Sequence, residues 1–209
     1  GANAEGPLLD PLVDALAAYI RTGKLDRSAI VGHSMGGLIG LMLAERHPDL
    51  VGKLMIVDAL PFYSMLMSPD ATAASVEPQA VALRSMIAGM SDEAFRAQQA
   101  QTFASLVRTE AARPALIDQS LRSDPKVAAR AIYEVMTRDM RPALPRIETP
   151  MTIVYATNAY ATEARVGPLY RAYEAAPNAT LIAVPDSYHF VMLDQPELFA
   201  AILNDFLAD

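Results

Sequence analysis

The sequence predicts an α/β fold: a parallel sheet flanked by helices and interrupted by a long helical insertion. Short, continuously apolar runs at 28–31, 53–57, 151–155 and 180–184 alternate with helical periodicities. Runs with no polar face suit strands covered on both sides, as in parallel sheets. The stretch 61–146 carries helical signals and no strand signal. Hydrophobic residues make up 52% of 209 positions, enough for the core of one domain with an insertion. The expected division is 1–60 for a first α/β segment, 61–146 for the insertion and 147–209 for a second α/β segment.

Asp10-Pro11 reads as an N-cap followed by proline at the first helical position. Leu12, Leu16 and Ile20, with Val13 and Ala17, then share one face at helical spacing, and Gly23 is a stop. Ser28 to Val31 is a short strand. A helix follows from about Met35 to His47, ended by Pro48, with Leu38, Leu41 and Met42 as its stripe. Gly36, Gly37 and Gly40 lower its helix propensity and suit close packing on a strand. Lys53 to Val57 is the second strand, with Asp58 at its end. Helices are expected over Pro78–Met90, Ser91–Arg108, Thr109–Arg122 and Pro125–Asp139. Strands return at Met151–Tyr155 and Thr180–Val184, with a helix at Val166–Ala176 between them. Asp194-Gln195-Pro196-Glu197 has the form of a capping box, before a stripe of Leu198, Phe199, Ile202, Leu203 and Phe206.

Composition excludes several classes of function. Seventeen Lys and Arg against 24 Asp and Glu give a net charge of −7, which argues against nucleic acid and anionic membrane as partners. With no cysteine, disulfides, thiol catalysis and thiolate metal sites are excluded; the absence does not choose between cytoplasm and periplasm. The three histidines, His33, His47 and His189, have no metal-binding spacing. No metal and no cofactor is called for. No apolar run reaches membrane-spanning length.

The motif that carries chemistry is Gly32-His33-Ser34-Met35-Gly36-Gly37, a G-x-S-x-G between a strand and a helix. Serine needs a base to act as a nucleophile. The strand-to-helix turn presents its Oγ above the sheet edge, Gly32 and Gly36 relieve collisions in the turn, and the Met35 N–H at the helix N-terminus offers one oxyanion donor. His189 is the best candidate base. It follows the last strand in Pro185-Asp186-Ser187-Tyr188-His189-Phe190, on the same edge of a parallel sheet as Ser34. His33 reads as packing or pocket wall, and His47 as a solvent-facing helix end. A third group, with a charge to stabilise the imidazolium, would have to orient His189. Asp186 reads as a turn residue.

Gly-His-Ser-Met-Gly-Gly, the helical insertion and the ending Ser187-Tyr188-His189-Phe190…Asp194-Gln195-Pro196-Glu197-Leu198-Phe199 resemble the α/β-hydrolase superfamily over essentially the whole chain. The resemblance implies a catalytic triad in the order Ser…acid…His. The acid's usual place, after Met151–Tyr155, reads Ala156-Thr157-Asn158-Ala159-Tyr160 and holds no Asp. Some members carry the acid after the strand that follows the elbow helix, and there stands Asp58. Asp58 is favoured and Glu163 is the alternative. The insertion resembles the family's cap. Its methionines, Met65, Met67, Met86, Met90, Met136 and Met140, form either a flexible apolar lining or the cap's own core.

The resemblance also implies strands 5–8 of the family order, with four strands expected before Ser28. These need about eighty residues, whereas 27 residues precede Ser28. The first strand is therefore expected at a sheet edge, with Ile30 and Val31 lacking a neighbour, completed by an N-terminal segment or chain. A second oxyanion donor would come from that segment; one such donor is worth about 3 kcal/mol. The implied activity is a serine hydrolase cleaving a small-to-medium carboxylic ester, with a small-molecule ester as the partner. Two other readings stay open: an aminopeptidase or amidase, with Glu93, Glu110 or Glu134 holding a substrate amine, and a non-catalytic binding protein of the same fold.

Overall fold

The structure, a computed structural model, describes residues 6–25 and 27–208. Four strands, β1 (Ser28–His33), β2 (Val51–Val57), β3 (Met151–Ala156) and β4 (Ala179–Val184), form one sheet in the order β1-β2-β3-β4, every pair parallel. Ile30 pairs in register with Leu54, and Ile56 with Ile153. Leu54, Ile56 and Ile153 face a core built with α1 (Leu9–Thr22), α2 (Met35–Arg46) and the buried Tyr170 and Tyr173. Met55, Val57, Val154 and Val184 alternate to the other face and pack on Ile202 and Phe206. Burying each such side chain contributes about 1.5–3 kcal/mol. The apolar strand runs thus serve two faces, as continuous hydrophobicity in a parallel sheet requires.

Between β2 and β3 the chain is helical. There, α3 (Ala73–Ala88) packs along α6 (Pro125–Thr137), and α4 (Asp92–Leu106) packs against α5 (Arg113–Ser120). After β3 come α7 (Glu163–Tyr170), a 3-10 turn at Arg171–Ala175, β4, the short α8 (Val191–Asp194) and α9 (Pro196–Ala208). Among the described residues no helix is long and apolar enough to cross a membrane.

Several local expectations are corrected. Helix α1 begins at Leu9, and Asp10 does not cap it. Its free N-terminal amides are taken by Glu134 of α6, which accepts from Leu8 N (2.7 Å) and Leu9 N (2.9 Å). Asp10 instead pairs with Arg46 and Arg138. The buried stripe is Leu9, Val13, Ala17 and Ile20, and Leu12 faces outward. Helix α3 starts well before Pro78 because Thr72 and Ser75 form a capping box. Helix α5 is shorter than expected at both ends. Asp194 lies in α8, and its carboxylate bonds to Tyr188, Arg108 and Thr109, not to the start of α9. Helix α9 opens with Pro196 at its first position, where the missing N–H is harmless. The methionines divide: Met65, Met136 and Met140 are buried, whereas Met67 and Met86 are about half exposed.

Candidate active site

Ser34 stands between β1 and α2 with φ 55° and ψ −123°, a conformation that L-residues rarely adopt. The turn is held from both sides. Ser34 N–H donates to Val57 O (2.9 Å), extending the β1–β2 ladder, and the Ser34 carbonyl accepts from Gly37 N (2.9 Å) and Leu38 N (3.3 Å). A Cβ on Gly32 would stand 2.3 Å from Gly36 O, so the tightness of this turn requires glycine there. Gly36 differs from expectation: a Cβ there meets nothing within 4 Å, so no collision explains it. Gly37 and Gly40 do bring helix to sheet, with Cβ positions 2.9 Å from Ile56 Cγ2 and 2.7 Å from Leu54 Cδ1. Met35 is the first residue of α2, so its N–H has no intrahelical acceptor and lies at the positive end of the helix.

Asp58 follows β2 with φ 48°. Its N–H donates to Val154 O (2.7 Å), and its Oδ1 accepts from Ala156 N (2.9 Å) and from Tyr170 OH (2.9 Å). Oδ2 accepts from His189 Nδ1 at 2.7 Å. Three donors therefore converge on one partly buried carboxylate, and charge-assisted bonds of this kind fix both partners. Tyr170 is stacked on Tyr155 (ring centroids 4.3 Å apart). Burial and the neighbouring Asp58 charge hold the Tyr170 hydroxyl well above the usual phenol range, so it remains a donor.

His189 lies on the loop after β4, with its Nδ1–H committed to Asp58. His33, next to Ser34, packs against it with ring centroids 4.5 Å apart, and His33 Nε2–H donates to the His189 carbonyl (2.9 Å). Burial, then the nearby His189, lowers His33 to about 4, so this ring stays neutral. Phe190 packs on His33 with the rings tilted (centroids 4.7 Å apart) and meets Phe103 of α4 (5.9 Å). The structure thus brings Asp58 and His189 into direct contact and Ser34 onto the same edge. No hydrogen bond joins Ser34 Oγ to His189 among the described residues; such bonds commonly tighten only around substrate.

The other candidates fall elsewhere. Glu163 accepts from Tyr155 OH (2.8 Å) rather than from His189. Asn158 donates to Ser187 O (2.9 Å), bracing the loop of His189 without touching its ring. Asp186 has φ 53°, a turn conformation. His47 caps the end of α2 and meets Arg21. Glu134 is buried and engaged with α1 and Arg130, and Glu110 pairs with Arg113. A depression of about 430 Å³ bounded by Asp10, Arg130, Tyr133, Glu134 and Arg138 touches none of Ser34, Asp58 and His189. Among the described residues no cluster of His, Asp and Glu could hold a metal ion. Sequence reasoning missed the contacts of Tyr170 and Asp194 and the hydrogen bond of His33. For Tyr170 the only signal was its place on the apolar face of α7.

Comparison with known proteins adds to this geometry. The profile of the alpha/beta hydrolase family matches residues 3–202. The chain is 26% identical over 215 residues to the pimeloyl-(acyl-carrier protein) methyl ester esterase of Neisseria meningitidis serogroup C, covering 98% of this chain and 79% of that protein. A shorter stretch of 61 residues is 39% identical to RutD of Serratia proteamaculans, 29% of this chain and 23% of that one. Among solved structures, an esterase from Exiguobacterium antarcticum superposes with TM-score 0.81 at 17% identity, over 100% of this chain and 76% of that one. The enol-lactonase from Burkholderia xenovorans LB400 gives 0.74 at 21% identity, over 96% and 73%. These two likenesses are of fold.

Proposed function

The chain belongs to the alpha/beta hydrolase family, and on that premise we propose that it is a serine hydrolase cleaving a small-to-medium carboxylic ester through an acyl-enzyme. The observation that carries this reading is the 2.7 Å bond from His189 Nδ1 to Asp58 Oδ2 beside the strained Ser34. The esterase relatives matched over 98% of the chain support the choice of an ester.

Ser34 Oγ attacks the ester carbonyl carbon, and His189 Nε2 takes its proton. The imidazolium so formed keeps its Nδ1–H on Asp58, whose charge stabilises it. The oxyanion of the tetrahedral intermediate is met by Met35 N–H at the positive end of α2. Collapse breaks the bond to the alcohol oxygen, which receives the proton from Nε2. Water then gives a proton to Nε2 and attacks the acyl carbon; collapse breaks the acyl–Oγ bond, the acid leaves, and Ser34 Oγ takes the proton back from Nε2. In this reading 61–146 is a cap over the site.

A fluorophosphonate probe is expected to label Ser34, and Ser34→Ala should lose both the label and hydrolysis of a short nitrophenyl ester. Hydrolysis that survives in Ser34→Ala at the wild-type rate would sink the reading.

A further inference from the structure

The loop that carries His189 is fastened to the helical insertion by one carboxylate. Asp194 Oδ2 accepts Tyr188 N–H at 2.9 Å and Arg108 N–H at 3.2 Å, and Oδ1 accepts Thr109 N–H at 2.9 Å. Tyr188 adjoins His189, whereas Arg108 and Thr109 belong to the junction between α4 and α5. Around this anchor the two segments interlock. Phe190 N–H donates to Leu106 O (3.4 Å), Arg108 Nη1 to Asp186 O (2.9 Å) and Thr109 Oγ1 to Leu193 O (3.1 Å). The junction is also tied to α5: Val107 is fully buried and its carbonyl accepts Arg113 Nε at 2.9 Å.

A carboxylate that accepts three main-chain amides fixes backbone, not merely a rotamer, and its bonds are charge-assisted. We propose that Asp194 is a positioning residue that makes the seating of the α4–α5 junction a condition for placing His189. The inference rests on the reading of His189 as the base. When the junction lifts, Arg108 and Thr109 withdraw two of the three donors. Tyr188 alone is then left on Asp194, and the backbone of His189 loses its fixed point. Asp58 still holds Nδ1, so the tautomer survives and the reach of Nε2 toward Ser34 is what suffers.

Two variants break the anchor from opposite sides. Asp194→Asn keeps the volume but turns one acceptor into a donor facing an amide N–H. Thr109→Pro removes the donor on the insertion side; Thr109 has φ −70°, which proline accepts. Thr109→Val keeps the amide and loses only the hydroxyl, and is expected to lose less than Thr109→Pro. Both Asp194→Asn and Thr109→Pro should slow fluorophosphonate labelling of Ser34 and lower kcat on a nitrophenyl ester by on the order of tenfold to a hundredfold, with KM moving less. Asp194→Asn should also speed trypsin cleavage after Arg108 severalfold in the otherwise folded protein. Labelling at the wild-type rate in both variants overturns the proposal. Slow labelling in Asp194→Asn with wild-type labelling in Thr109→Pro also overturns it, since Asp194 would then act within its own loop. If the wild type itself takes no label, the hydrolase reading fails, and trypsin cleavage unchanged by Asp194→Asn would separately refute the anchor.

Discussion

Asp58 and Tyr170 are joined by a 2.9 Å hydrogen bond on the carboxylate oxygen that does not face His189. The acid is thereby held by two donors, Tyr170 OH and Ala156 N–H, before the imidazole is counted. Such support fixes the carboxylate rotamer and leaves Oδ2 aimed at Nδ1.

Removing the charge and removing the support have different expected effects. Asp58→Asn should lower kcat by about 10³–10⁴-fold, because the amide can neither stabilise the imidazolium nor accept reliably from Nδ1–H. Tyr170→Phe leaves the charge and removes one bond worth about 1 kcal/mol, so kcat should fall about fivefold. Steady-state kinetics on one ester substrate read both. A Tyr170→Phe loss as large as that of Asp58→Asn would contradict this ordering.

The two glycines that flank Ser34 should respond in opposite directions. In Gly32→Ala the new Cβ meets backbone at 2.3 Å, which cannot move without opening the turn. A cost of about 3 kcal/mol corresponds to a Tm lowered by roughly 6–12 °C. Gly36→Ala meets open space inside a helix and should gain about 0.5–1 kcal/mol, a Tm raised by about 1–4 °C. Thermal melts of the two variants test this, and a Gly36→Ala protein less stable than wild type would contradict it.

His33 ties stability to pH. Its folded value of about 4 lies below the ordinary 6.5, so the unfolded chain binds its proton more readily. The resulting stabilisation is complete above about 6.5 and is lost as pH falls toward 4, amounting to about 2–3 kcal/mol. His33→Gln keeps a donor for the His189 carbonyl and cannot titrate. The gap in Tm between wild type and His33→Gln should therefore move against the wild type between pH 6.5 and 4. A gap independent of pH over that range would show that His33 does not titrate as its surroundings require.

What the sequence made legible was local. The strands followed from short apolar runs, and the elbow from glycines spaced around Ser34 between a strand and a helix. The choice between Asp58 and Glu163 was not local. It came from family resemblance, and in the structure Asp58 lies on His189 while Glu163 lies on Tyr155. Two cap-like residues misled because they found distant partners. Asp10 turned to Arg46 and Arg138, and Asp194 to the α4–α5 junction, while α1 was capped by Glu134 from 125 residues away. A carboxylate's local role is a competition that tertiary contacts decide, and no spacing rule contains those contacts.

The open side of β1 gives the last expectation. β1 ends the sheet, so one row of its amides and carbonyls has no strand partner among the described residues. Val31 is paired in register with Met55 and faces the side of the sheet that α9 covers, yet it remains 46% exposed. An apolar edge of this kind templates pairing with another strand. The 209-residue chain is expected to self-associate through β1 as its concentration rises. Val31→Lys places a charge on that edge and should shift the population toward monomer with little change in Tm, because Val31 contributes little to the packed core. Sedimentation velocity over a concentration series measures this. A wild-type chain that stays monomeric throughout, or a Val31→Lys chain that associates just as strongly, would show that β1 is not the associating surface.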